Sequence, residues 1–304
     1  MSHLLNGALG AASALALGVA TLPSACAHAI CGSRIFPATL GIDDPGVGDE
    51  IALPTASYLP ANGNGANQAA ISFNYTKTIF PEFGLSVGNG ATFQNGQGWG
   101  RNDLTLGAKD RVFCLPDWEL MASVGVGVDL GKTYTNGMGN DFNTLTPALD
   151  VGLGFGGLPK TLNILRPFAI TASVGENLPD QRFTNANQNP TNFNWGFTIQ
   201  YSLPYFNANV AEIDNVFIKR LIPITEFTFQ RPVANFDTLG PAVTTGTIQP
   251  GVIYEGNGWQ AALEAVLPIN AASGRGVGVV GELHFYLDDL MPDTLGRPIF
   301  GAKK

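Results

Sequence analysis

The feature that most constrains this chain is a two-residue period in hydrophobicity that returns along most of its length. Between Trp118 and Leu130, alternate positions read Trp118, Leu120, Ala122, Val124, Val126, Val128 and Leu130, all apolar. The positions between them read Glu119, Met121, Ser123, Gly125, Gly127 and Asp129, mostly small or polar. Successive side chains point to opposite faces of a strand, so this spacing predicts a strand with one wholly apolar face. The same alternation returns at Ile71–Thr76, Leu149–Phe155, Trp195–Leu203, Trp259–Leu267 and Val277–Leu287. The run from Trp118 is long for a globular strand but suits a tilted membrane crossing of about 9–11 residues.

The second face decides between architectures. In a soluble sandwich it would carry Lys, Glu and Thr facing water. Here it is often Gly or Ser, too small to fill a core and too uncharged for an ordinary wet surface. Only 13% of the chain is charged, about half the usual fraction, and 38 of its 304 residues are Gly. An all-β, closed antiparallel transmembrane barrel, with lipid outside and a polar lumen inside, accounts for both faces. A secreted sandwich or jelly roll is the soluble rival.

Twelve strands are expected near 50–58, 69–79, 83–93, 102–113, 118–130, 144–156, 162–175, 194–203, 218–230, 244–254, 259–269 and 276–288. An even count returns the chain to its starting side. Connections alternate between long stretches rich in Asn, Gly and Gln (Leu59–Gln68, Gly131–Asn143, Glu176–Phe193) and tight ones (Phe80–Glu82, Cys114–Asp117, Gly157–Thr161, Glu255–Gly258). Long loops outside and short periplasmic turns are the outer-membrane arrangement. Pro204–Asn215 is long where a tight turn is due. Aromatic residues gather near strand ends, with Phe80, Trp118 and Trp259 on one side and Trp99 and Trp195 on the other, like two interfacial girdles.

On this architecture, over residues 50–288, the chain resembles bacterial outer-membrane β-barrels of the channel and transporter type. It is loosely similar to outer-membrane transporters linked to phenol meta-pathway degradation. The resemblance implies passage of solutes without a cofactor. The family's C-terminal aromatic is displaced, because a tail, 289–304, continues past the last strand.

Residues 1–29 lack Asp, Glu, Lys and Arg, and carry an Ala/Leu-rich run followed by Ala27-His28-Ala29. This reads as a cleaved signal peptide and predicts export to the bacterial outer membrane, although the usual basic residue before the apolar run is missing. Residues 30–49 then form a periplasmic N-terminal segment. Cys31 and Cys114 would remain after cleavage, on the same predicted side; they permit a disulfide, with two free thiols the other option. Such a bridge would tether the segment below the barrel, where it plugs the lumen or packs against Pro298-Ile299-Phe300.

Candidate chemistry is sparse. His284, with Glu282 beside it and Glu264 across the neighbouring strand, is the one histidine after the leader, and no serine stands out as its nucleophile. The reading is a non-enzyme. The Asp43–Glu50 run lacks the ligand spacing of a calcium loop and reads as a solvated Asp-Pro-Gly turn, and no metal site is expected. Gly152–Gly157 falls inside an alternating strand, so a phosphate loop is excluded; inward glycines instead relieve crowding in a narrow barrel.

Expected pore-lining charges are Glu119, Asp129, Asp150, Glu226, Glu264 and Glu282 against Lys109, Arg111 and Arg220, with His284 among them. Lys109 and Arg111 lie one tight turn before Glu119, so part of this set would form a cross-strand ion-pair ladder. The acidic excess favours neutral or cationic solutes. A net charge of −8 offers no basic face for nucleic acid. The expected partners are outer-membrane lipid and small solutes, with a homo-oligomer left open. The alternative to a passive channel is a plugged structural or binding barrel that works through its long loops.

Overall fold

The computed structural model describes residues 29–62 and 66–301; the predicted signal peptide falls outside them except for Ala29. Twelve strands follow one another: β1 (Glu50–Asn62), β2 (Ala66–Phe80), β3 (Phe83–Gln94), β4 (Leu104–Leu115), β5 (Leu120–Leu130) and β6 (Thr144–Gly154). They continue as β7 (Phe168–Pro179), β8 (Thr191–Tyr201), β9 (Leu221–Ala234), β10 (Thr245–Glu255), β11 (Trp259–Pro268) and β12 (Gly278–Tyr286). Each pairs antiparallel with its neighbours in sequence, and β12 closes onto β1, setting Val279 opposite Tyr58 and Tyr286 opposite Glu50. The barrel therefore has no free edge. It is the closed twelve-stranded antiparallel barrel that the alternation predicts.

The outer face is apolar on every side. Ile71, Val124, Leu149, Ile199, Leu263 and Leu283, from six different strands, are all exposed. Aromatic rings stack between β8 and β9 on that same face, Phe197 on Phe227 at 4.6 Å and Trp195 on Phe229 at 5.5 Å. Water-exposed apolar patches rarely exceed a few hundred Å² on a soluble monomer, so a belt of this extent fits hydrocarbon. No helix among the described residues is long and apolar enough to cross a membrane.

Several boundaries differ from expectation, and proline explains two of them. Pro116 opens a short 3-10 turn, Pro116–Trp118, and Glu119 follows it in left-handed geometry at φ 47°. Trp118 and Glu119 therefore precede β5 and do not belong to it. Pro159 caps a second 3-10 stretch, Lys160–Leu165, held by its own local hydrogen bonds, so β7 begins at Phe168 and the connection 155–167 is not tight. The long connection after β8 holds a seven-residue helix, Leu203–Asn209, capped by the Ser202 hydroxyl, and a 3-10 turn, Ile218–Arg220. At the other end β1 and β2 run further than expected and absorb most of the predicted Leu59–Gln68 loop.

The N-terminal segment is inside the barrel. A small hairpin, Ala29–Cys31 with Arg34–Phe36, leads into irregular chain from residue 37 to residue 49. This chain touches strands all round the wall: Lys109 on β4 donates to the Asp44 carbonyl, and Gln260 on β11 donates to the Ala38 carbonyl. On β9, Glu226 accepts from three successive amides of the segment. The Asp43–Glu50 run is thus not a solvated turn, because Asp44 and Asp49 are buried. The C-terminal tail lies elsewhere, adding backbone bonds from Ile299 and Phe300 to the end of β2.

Candidate functional site: a lumen with an inserted segment

The site is built from the short-turn end upward. Sγ of Cys31 lies 2.09 Å from Sγ of Cys114, near the end of β4, so the hairpin is bonded to the wall. Around that bridge Ala29, Cys31 and Phe36 pack on Met121 and Ala169, which point inward. Further along, Leu40 packs on Ile222, Ile224, Ile253 and Ala262, also inward. Apolar side chains facing a water-filled pore would be costly, and the segment gives them a dry partner, each fully buried large side chain contributing about 1.5–3 kcal/mol.

Polar anchors complete the seating. The guanidinium of Arg34, fully buried, donates to Glu119 Oε2 at 3.1 Å and to the carbonyls of Pro167 and Arg166 at 2.9 and 2.5 Å. It also lies 4.0 Å from the centre of the Tyr205 ring. Burial lowers its pKa while Glu119 raises it. Glu226 takes the amides of Leu40, Gly41 and Ile42 at 2.7, 2.8 and 3.0 Å. Asp49 accepts from Lys77 Nζ and from the Thr78 amide and hydroxyl, at 2.6–2.7 Å, and so fixes the point where the segment enters β1.

The inward glycines have a more specific role than relief of crowding. A Cβ on Gly152 would stand 2.8 Å from the Phe36 ring, and one on Gly196 would run into the Ile42 side chain. These positions are sockets for the segment.

Above the segment lies a cavity of about 810 Å³. Its wall is neutral and small, with Ser86, Thr105, Thr146, Ser173, Asn194 and Thr247 among the residues that line it. Its floor is charged: Asp43, Asp44, Glu50, Asp150 and Glu282 against Lys109 and His284. Lys109 Nζ pairs with Asp43 at 2.5 Å and with Asp150 at 3.5 Å.

The residues expected to line the pore divide into groups. Lys109, Asp150, Glu282 and His284 do line the cavity. Glu226 and Glu264 are buried beside one another beneath it, Glu226 holding the segment. Asp129 accepts from the Thr105 hydroxyl across β4 and β5 at 2.7 Å. Three placements are corrected. Glu119 is a buried anchor for Arg34 after a 3-10 turn. Arg220 lies before β9 and donates to the Glu255 carbonyl. Arg111 pairs with Glu82 at the β2–β3 turn. The expected ladder between Lys109, Arg111 and Glu119 does not form, because each charge finds its partner on the inserted segment, on a more distant strand or on another turn.

His284 stands between two carboxylates, with Nδ1 at 3.1 Å from Glu282 and Nε2 at 3.1 Å from Glu50. Both nitrogens being engaged, neither is placed to take a proton from a serine hydroxyl. Among the described residues no group of three or more His, Cys, Asp or Glu is arranged to hold a metal ion.

Periodicity alone missed Arg34, Asp49 and the socket role of the glycines. A signal was present: in Leu221-Ile222-Pro223-Ile224 both strand faces are apolar, and an inward Ile222 and Ile224 demand an apolar occupant.

Burial pushes the Asp44 carboxyl up to about 7, with Glu50 and Asp43 adding to the rise and Lys109 opposing it. The folded protein therefore binds more protons here than the unfolded chain at pH values between about 4 and 7. Stability from this group is greatest below that window and falls as pH rises through it. Thermal midpoints of the native protein and Asp44→Asn across pH 4–8 check this: the variant has a shallower downward slope, and an unchanged slope would show that Asp44 contributes nothing to it.

No family model matches this chain, and no curated relative does. Among solved structures it is similar to the KdgM porin, with 8% identity and a TM-score of 0.46, covering 76% of this chain and 97% of that one. A NanC porin structure also has 8% identity and a TM-score of 0.46, with coverages of 78% and 98%. LpxR from Salmonella typhimurium has 10% identity and a TM-score of 0.42, with coverages of 78% and 99%. The fold assignment rests on the strand pairing above and draws nothing from these likenesses.

Proposed function

We propose that this protein is an outer-membrane channel for small neutral or cationic solutes, its lumen narrowed from the short-turn end by residues 29–49. The observation that carries this is a cavity of about 810 Å³, lined in part by hydroxyl, amide and charged side chains, inside a barrel whose outside is apolar. In this reading the signal peptide directs export, the short turns face the periplasm, and outer-membrane lipid covers the belt. Solutes move down their gradient past hydroxyl, amide and glycine positions, so no cofactor is needed. Acidic floor residues disfavour anions in a narrow passage.

The rival is a closed barrel that binds through its long loops, and the number of anchors on the inserted segment favours it. Conductance in a planar bilayer under a KCl gradient separates the two. A steady unitary conductance with a reversal potential displaced toward that of K⁺ is expected. A folded, heat-modifiable protein that never conducts would hand the case to the closed barrel.

A further inference from the structure

We infer that Asp43, a residue of the inserted segment, sets the charge preference of the lumen by covering Lys109. The inference rests on the channel reading and assigns its selectivity to one residue. Lys109 is the one Lys or Arg among the described residues that line the cavity. Its ammonium is held on three sides: Asp43 Oδ2 at 2.5 Å, the Asp44 carbonyl at 2.7 Å and Asp150 Oδ2 at 3.5 Å. Exposure decides which charge a passing solute meets. The Asp43 side chain is 64% exposed, against 17% for Lys109 and 1% for Asp150. The cation is therefore withdrawn into the wall and a carboxylate stands in front of it.

The remaining floor charges do not reverse this. Glu282 and Glu50 flank His284, so even a protonated imidazole is outnumbered there. Removing the charge of Asp43 has a double effect, since it takes away the exposed anion and uncovers the cation behind it. In a narrow passage with low-dielectric walls such a change is focused on the permeant ion. The species favoured by the native arrangement are monovalent metal cations and small organic ammonium compounds. The preference is set by the segment inserted at the short-turn end, and the wall contributes the buried half of the pair.

Reversal potentials in a KCl gradient test this on the full-length protein, comparing native, Asp43→Asn, Asp43→Glu, Lys109→Gln and the Asp43→Asn/Lys109→Gln double variant. Native protein is expected to prefer K⁺. Asp43→Asn should lower the K⁺ to Cl⁻ permeability ratio several-fold, with Asp43→Glu restoring it. In the Lys109→Gln background the effect of Asp43→Asn should shrink, and it should shrink again in molar salt, where the screening length falls to about 3 Å. A conducting native protein whose reversal potential ignores Asp43→Asn overturns the inference alone. So does a rise of unitary conductance in Asp43→Asn, because that outcome makes the residue an anchor of the segment. A folded native protein that stays silent overturns the channel, and the selectivity with it.

Discussion

If the barrel is a channel, excision of residues 30–48 together with Cys114→Ser is expected to give a unitary conductance several-fold above that of the full chain. The wall does not depend on the segment for its hydrogen bonds, since every barrel strand pairs with two strand neighbours. What is lost is the material that fills the short-turn half of the lumen: Phe36 in the Gly152 socket, Ile42 in the Gly196 socket, and Arg34 against Glu119. Water replaces them, and the carboxylates of Glu119 and Glu226 become part of a wet wall. Because resistance follows the narrowest section, removing the constriction changes conductance more than any single wall substitution. Equal conductance with and without the segment would mean that ions do not pass where it sits.

Glu119→Ala carries the second large effect, this time on seating. Arg34 is fully buried and its guanidinium is shared between one carboxylate and two backbone carbonyls. Deleting the carboxylate leaves a buried cation without its counter-charge, a loss of about 3–5 kcal/mol. The Ser33 hydroxyl and the Gly156 amide lose the same acceptor. The hairpin of residues 29–36 should then lift from its place, although Cys31 still holds it to β4. Trypsin reports this directly, since cleavage after Arg34 requires the side chain to leave the wall. The native protein is expected to resist, Glu119→Ala to be cut within minutes, and Glu119→Gln, which keeps an acceptor, to lie between them. Equal resistance in all three would remove Arg34 and Glu119 from the list of anchors.

The barrel was legible because its information is local. Alternation with period two is a property of consecutive residues, and twelve such runs place twelve strands to within a few residues, except where Pro116 and Pro159 divert the chain into 3-10 turns. Cys31 and Cys114 were marked as a pair by their number and their side, with free thiols the other option open to the sequence. The interior was less legible because its information is distant. Arg34 and Glu119 are far apart in the chain, and nothing near either residue announces the other. Gly152 and Gly196 showed small positions facing inward, but what they make room for is known only once Phe36 and Ile42 arrive there. Asp43 looked like a solvated acid in a turn. Its exposure is real, but it faces the cavity beside a lysine from β4.

The parity of the strand count reaches beyond the wall itself. Twelve crossings bring the last strand back to the rim from which the first one left, so the start of β1 and the end of β12 stand side by side, with the Asp49 amide bonded to Asp288. A fluorophore attached to the tail and an epitope grafted into residues 131–143 would consequently sit on opposite faces of the same molecule. In intact cells one would be within reach of an antibody and the other shielded from it, so a pair of labels would reveal which way the protein points.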